Sequence, residues 1–186
     1  TWPLRAFRRP LKNTGRAVAL SIFRLKSRFQ NNPENIKKTI QTTSRVFICL
    51  PADKQERDAA QQLFSEWKNC FPRAEIIGMV PVCEPDPKQV DNRFISLVKS
   101  DVSLWGTPTR RVKDLLVNRP VDIAIDLNRG YDAMSTLLIL MSQAHLRAGY
   151  YHNEKTRSYN FLLRTSPENS PQHAIQALLT YFKTIQ

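Results

Sequence analysis

Glycine is scarce in this chain, five in 186 residues, and the five are scattered. A nucleotide-binding turn needs glycines between a strand and a helix, so that phosphate can reach backbone N–H groups. Neither a G-x-G-x-x-G nor a P-loop occurs, which argues against a dinucleotide enzyme. Cysteine is equally sparse: Cys49, Cys70 and Cys83 lack metal-ligand spacing and read as unbridged thiols of a reducing compartment. The histidines are His145, His152 and His173, none of them four residues from another and none in a carboxylate–histidine cluster, so no metal and no cofactor is expected. No serine sits in a nucleophile elbow. No apolar run reaches the roughly 18 residues that span a bilayer. The first residue is Thr1 rather than Met, and further chain ahead of it is expected.

Acid is also lacking, but only at one end. Residues 1–44 hold ten Lys/Arg against the single Glu34, a net +9 of the chain's +12. The remainder is nearly balanced, which weakens the case for a nucleic-acid-binding domain, where a basic face on the folded body is expected. Apolar content of 41% and charged content of 24% place the rest among ordinary globular proteins. The chain divides into a basic arm and amphipathic helix over 1–44 and one α/β domain over 45–186.

Residues 1–13 read as an irregular arm. A helix is expected from Thr14 to about Phe29, with Val18, Ile22, Leu25 and Phe29 on one stripe and Arg16, Arg24, Lys26 and Arg28 on its flanks and far side. Such a helix suits an anionic membrane surface; it equally suits packing on its own domain or on a second copy. A short helix follows, with Pro33 in its first turn. Arg45–Leu50 is a continuous apolar run and should be the first, central strand. Pro51–Asp58 reads as a polar turn, followed by a helix to about Cys70 with Ala60, Leu63, Phe64, Trp67 and Phe71 inward. Ala74–Val80 is the second strand, completing a right-handed β-α-β unit. Proline-rich 81–92 is a loop, Phe94–Val98 a third strand, and Arg110–Val117 a short helix.

The most informative stretch is VDIAIDLNRGYDAMSTLLILMSQAHLRAGYY, residues 121–151. Val121, Ile123, Ile125 and Leu127 alternate along a strand that delivers Asp126 to its carboxyl end. Asn128, Arg129 and Gly130 form the turn, and a helix apolar almost all round runs from Tyr131 to Ala144. A further strand follows that helix, Tyr159–Arg164 is another short one, and Ser170 caps a final helix with Pro171 in its first turn. Strands alternating with helices give a Rossmann-like, doubly wound, mostly parallel sheet.

Carboxylates are the better candidates for chemistry. Asp53, Glu56 and Asp58 follow the first strand and Asp126 ends a later one, and in an open parallel sheet such ends converge on one crevice. One of them is a candidate general base; the alternative is that Asp53 or Asp58 caps the next helix while Asp126 bonds loop amides. Arg129, Arg147 and Arg157 near the same edge are candidates to clamp a phosphate or carboxylate.

VDIAIDLNRG, the apolar helix, HLRAGYYHNEKTRSYNFLLR and HAIQALLTYF together resemble the N-terminal half of the ADP-heptose:lipopolysaccharide heptosyltransferases, glycosyltransferase family nine. That family shows a DxxIDLQG strand, an apolar helix, an RxGY/F strand, an arginine-containing loop, a YN segment and a histidine opening a helix. Asp122, Asp126, Leu127, Arg147, Gly149, Tyr150, Arg157, Tyr159, Asn160 and His173 match, over roughly residues 45–186. The resemblance implies one acceptor-side half of a GT-B architecture with an N-terminal helical extension, cytoplasmic and peripheral at the inner membrane. The family's presumed base is the aspartate of a GD pair after the first strand; here that stretch is PADKQERDAA, without glycine, and Asn128 replaces a glutamine. The implied protein is therefore a stand-alone, degenerate half that does not catalyse transfer alone. Its expected partners are a glycan or sugar phosphate at Asp126, Asn128, Arg129 and Arg157, an anionic membrane at Arg16, Arg24, Lys26 and Arg28, and a partner protein or second copy. No specific nucleic acid is expected. The alternative is an active glycosyltransferase completed by a separate chain or C-terminal half, with Asp53 and Asp58 as candidate bases.

Overall fold

The computed structural model describes residues 14–24, 36–81, 94–118 and 120–185. The arm over 1–13, Leu25, Lys26, Arg28, Phe29, Pro33 and Cys83 lie outside the described residues.

Six strands form one sheet in the order β3-β2-β1-β4-β5-β6, every neighbouring pair parallel. They are β1 (Arg45–Cys49), β2 (Glu75–Val80), β3 (Phe94–Ser96), β4 (Ile123–Asp126), β5 (Leu146–Tyr150) and β6 (Phe161–Leu163). This is the doubly wound Rossmann order, and its direction of winding reverses between β1 and β4. Both strands are buried along their whole length, as their continuous apolar runs require when helices cover both faces. Side chains alternate between two cores. Val46, Ile48, Ile123 and Ile125 face one, under α2 (Ile36–Thr42), α3 (Lys54–Gln62), α4 (Phe64–Cys70) and α7 (Pro171–Ile185). Phe47, Cys49 and Ala124 face the other, under α1 (residues 14–24), α5 (Arg110–Val117) and α6 (Ala133–Met141).

The helix after β1 begins earlier than a turn reaching Asp58 allows. Asp53 accepts a hydrogen bond from Glu56 N–H at 3.0 Å and starts α3 at Lys54, so PADKQERD is mostly helix. The helix is then interrupted at Leu63, giving α3 and α4. Trp67, Phe71 and Phe182 pack edge-on and stacked where α4 meets α7. All eight residues Met134–Met141 of α6 are buried, in keeping with a helix apolar on every side.

Helix α1 turns a different face inward from the expected stripe. Leu20 is buried, with Ala19 and Phe23 against the same core, whereas Val18 and Ile22 stand outward. The reason lies at Gly15, where a Cβ would come within 2.3 Å of the Trp105 carbonyl oxygen. That close approach is open only to glycine, and it fixes the rotation of the helix. Arg16 Nε then donates to Gly106 O at 2.7 Å and Arg24 Nε to Ser158 Oγ at 2.9 Å. These two arginines, expected to face a membrane, are tied to the protein's own body.

Candidate functional site

Open α/β sheets bind ligands beyond the strand ends where the winding reverses, here between β1 and β4. Two side chains span that point. Asn128 Oδ1 accepts from Ala52 N–H at 2.8 Å, and Arg129 Nε meets Glu56 Oε1 at 2.8 Å. Arg57, buried, folds back to donate to Pro51 O and Ala52 O. The turn after β1 is thus built from side-chain contacts, where a nucleotide-binding turn would leave its amides open to phosphate.

Asp126 lies beneath this bridge, and no part of it is exposed. One carboxylate oxygen accepts from the Asn128 backbone and side-chain N–H groups at 3.0 and 2.7 Å. The other accepts from the Tyr159 hydroxyl at 2.6 Å and pairs with Lys155 Nζ at 2.9 Å. Lys155 is itself fully buried, donates a second bond to Asn128 O, and lies over the Tyr159 ring. Gly149, paired with Asp126 across the sheet, leaves room for that ring: a Cβ would meet it at 3.4 Å and Asp126 O at 3.2 Å. Burial, then the Asp126 charge, pushes the Tyr159 phenol well up, so it stays a donor. A buried ion pair survives only when its remaining hydrogen-bonding groups are satisfied, and here they are. Asp126 and Asn128, expected to meet a ligand, belong to this closed network instead.

The other candidates separate. Asp53 is the cap of α3 and Asp58 is exposed on it. Arg147, expected at the mouth, is buried toward the opposite end of its strand. It donates to Ser158 O at 2.9 Å and Ala144 O at 2.8 Å, and Asn160 bridges Arg147 N–H to His145 O. Desolvation by burial lowers its pKa. Arg157 is exposed on the loop between β5 and β6. His173 is exposed in the first turn of α7, its N–H donating to the Ser170 cap, and His152 stacks over Tyr131. Among the described residues no three His, Cys, Asp or Glu side chains converge to hold a metal ion.

A small cleft remains, lined by Pro51, Glu56, Leu127, Arg129, Tyr150, Pro171 and Ile175. Arg129 closes it by also donating to Asn169 O at 2.6 Å. Tyr150 forms part of its wall, and the buried hydroxyl of that residue has no hydrogen-bond partner among the described residues. Burial, then the charges of Asp126 and Glu56, holds that phenol protonated far above its ordinary range. Orphaned buried hydroxyls are costly, so this one is a donor in want of an acceptor, although the cleft as it stands has no room for a water. A roomier hollow of about 370 Å³ lies at the amino end, among Ile40, Gln41, Thr43, Cys70, Phe71, Pro72 and Arg73, with Arg73 its one charge. Lys155 carries no signal in the sequence, whereas Glu56 stands among the candidate bases that follow the first strand. Tyr150 is legible through the resemblance, as the residue that ends the RAGY strand.

Comparison with known proteins places the chain. A family model of unknown function, DUF6913, matches residues 22–185. The chain belongs to this family. No curated protein matches the DUF6913 chain. Among solved structures it is similar to a glycosyl transferase of family 9 from Veillonella parvula DSM 2008, with a TM-score of 0.52 at 12% identity. The match covers 77% of the DUF6913 chain and 42% of the transferase, so the chain spans less than half of that relative's length. At this identity the likeness is one of fold: an open, all-parallel Rossmann-like sheet.

Proposed function

We propose that this DUF6913 protein binds a glycan or a phosphorylated sugar at the carboxyl end of its sheet and does not transfer sugar on its own. The observation that carries the reading is the buried Tyr150 hydroxyl, without a partner among the described residues, in a cleft that Arg129 also lines. A phosphate that displaces Glu56 from the Arg129 fork opens the cleft, which has no room for a water while that pair is closed, and a sugar hydroxyl or phosphate oxygen then accepts from Tyr150. The likeness in fold to a family 9 glycosyl transferase supports a sugar as the ligand class. The case against catalysis by this chain alone rests on the sealing of Asp126 and the use of Asp53 as a helix cap.

Titration calorimetry with a panel of hexose and heptose phosphates tests the reading. Binding is expected, weakened about tenfold or more by Arg129→Ala and by Tyr150→Phe, since each removes a hydrogen bond to a buried or charged group. No heat with any member of the panel, or equal affinity in both variants, sinks it. A second reading, a transferase completed by another chain or by a C-terminal half, is favoured by one observation, the coverage of only 42% of the family 9 structure. Sugar transfer from a nucleotide donor once a donor-binding partner is added, lost in Asp58→Asn, would support that reading over the first.

A further inference from the structure

Four large apolar side chains of α1 and the loop before α5 face solvent together. Leu104 is 76% exposed, Trp105 58%, Val18 55% and Ile22 50%. The bridge between Val102 and Pro108 closes the loop, and Gly106, at φ 76°, turns its tip. Gly15, Val18 and Ile22 fall at i, i+3 and i+7, so they lie one above another along α1. Trp105 sits against Gly15 at the start of that row, and Arg16 clamps the loop to the helix through Gly106 O. Leu104, Trp105, Val18 and Ile22 thus form one exposed apolar ridge, its two halves joined through Gly15 and Arg16.

The outward positions of α1 between these residues, Thr14, Ala17 and Ser21, carry no charge. Cations crowd the sequence on either side instead: Arg5, Arg8, Arg9 and Lys12 precede α1, and Lys26 and Arg28 follow it. With eight Lys/Arg and no acid in residues 1–28, a second copy docking through α1 would bring like charge against like. An anionic occupant is favoured. The ridge is a loop tip and the outer face of a helix rather than a groove, and it presents a tryptophan and aliphatic groups. A surface of negative headgroups over acyl chains accepts that combination, with the tryptophan at headgroup level.

We infer that Leu104, Trp105, Val18 and Ile22 form a membrane-docking ridge that enters an anionic lipid surface. This concerns where the molecule sits and stands apart from what its cleft holds; neither test decides the other. The experiment is flotation of the full chain with phosphatidylcholine vesicles, with and without phosphatidylglycerol, at low and high salt. Expected are binding that needs phosphatidylglycerol and weakens with salt, and a loss of about tenfold or more in Leu104→Glu/Trp105→Glu, which forfeits the burial of two large apolar groups. Both positions are exposed, so an unchanged thermal melt shows that the variant is folded. In a Trp2→Phe background, bromine-labelled lipid should quench Trp105 while Trp67, buried in the core, keeps its emission. Vesicle binding by the double variant equal to that of the parent, or Trp105 left unquenched on bound protein, overturns the proposal. So does no vesicle binding together with a dimer that the double variant abolishes, which would give the ridge to a second copy.

Discussion

Lys155 is the residue on which the carboxyl end of the sheet turns. It is a lysine with no exposed surface, paired at 2.9 Å with an equally buried Asp126. Bringing two charges out of water is costly, and the pair persists because Asn128 and Tyr159 satisfy the remaining lone pairs of the carboxylate. Removing only the cation should therefore hurt more than removing both charges. Lys155→Met is expected to cost about 3–5 kcal/mol by leaving a buried carboxylate unpaired. Lys155→Met combined with Asp126→Leu should recover a large part of that loss. Urea unfolding of the two variants and of Asp126→Leu measures it. If the double variant falls below the parent by the sum of the losses that Lys155→Met and Asp126→Leu cause singly, the pair is not the coupled unit described here.

Elements differ in how far the sequence discloses them. The central strands are legible because apolar runs such as RVFIC and IAID suit positions covered on both faces, and α7 because Ser170 and Pro171 mark its start. The parallel, doubly wound class follows from that alternation. Strand order does not, since pairing joins residues such as Cys49 and Asp126 that lie far apart in the chain. The same distance hides the fate of Asp126: its position at a strand end is visible, while its burial depends on Lys155 arriving from a later loop. Helix α1 fails for another reason. Val18/Ile22 and Arg16/Ala19/Leu20/Phe23 both have helical spacing, and the choice is made by the contact at Gly15. Gly15→Ala sets two effects against each other. Alanine is better than glycine in a helix by about 1 kcal/mol, but its Cβ would stand 2.3 Å from a backbone oxygen, which cannot rotate away as a side chain can. Overpacking of this kind costs about 1–3 kcal/mol. The expected outcome is a lower melting temperature, with α1 cleaved faster by trypsin; a higher one would mean that α1 is not seated on the 103–107 loop.

On the scale of the whole molecule, the basic segment before β1 is also part of the cover of the sheet. Leu20 shares a core with Phe47, Cys49 and the α6 residues Leu137 and Leu138, while Ile40 of α2 joins the core on the other side. The sheet is thus closed on both faces by helices drawn partly from residues 1–44, although composition sets that segment apart by its charge. A chain beginning at residue 36 retains Ile40 but loses Leu20, with Ala19, Phe23 and the bonds from Arg16 and Arg24. Burial of one leucine side chain contributes about 1.5–3 kcal/mol, so the shortened chain should be destabilised by at least about 2 kcal/mol. Losing that cover also uncovers part of α6, a helix with no polar face to turn outward. Binding of a hydrophobic dye by the native-state shortened chain, absent from the full chain, is the accompanying signature. Equal urea midpoints and no dye binding would mean that α1 is an appendage. If the loss is found, deletion of the basic segment cannot report on membrane binding, because it removes part of the core together with the charge, and only point changes on the outer ridge separate the two.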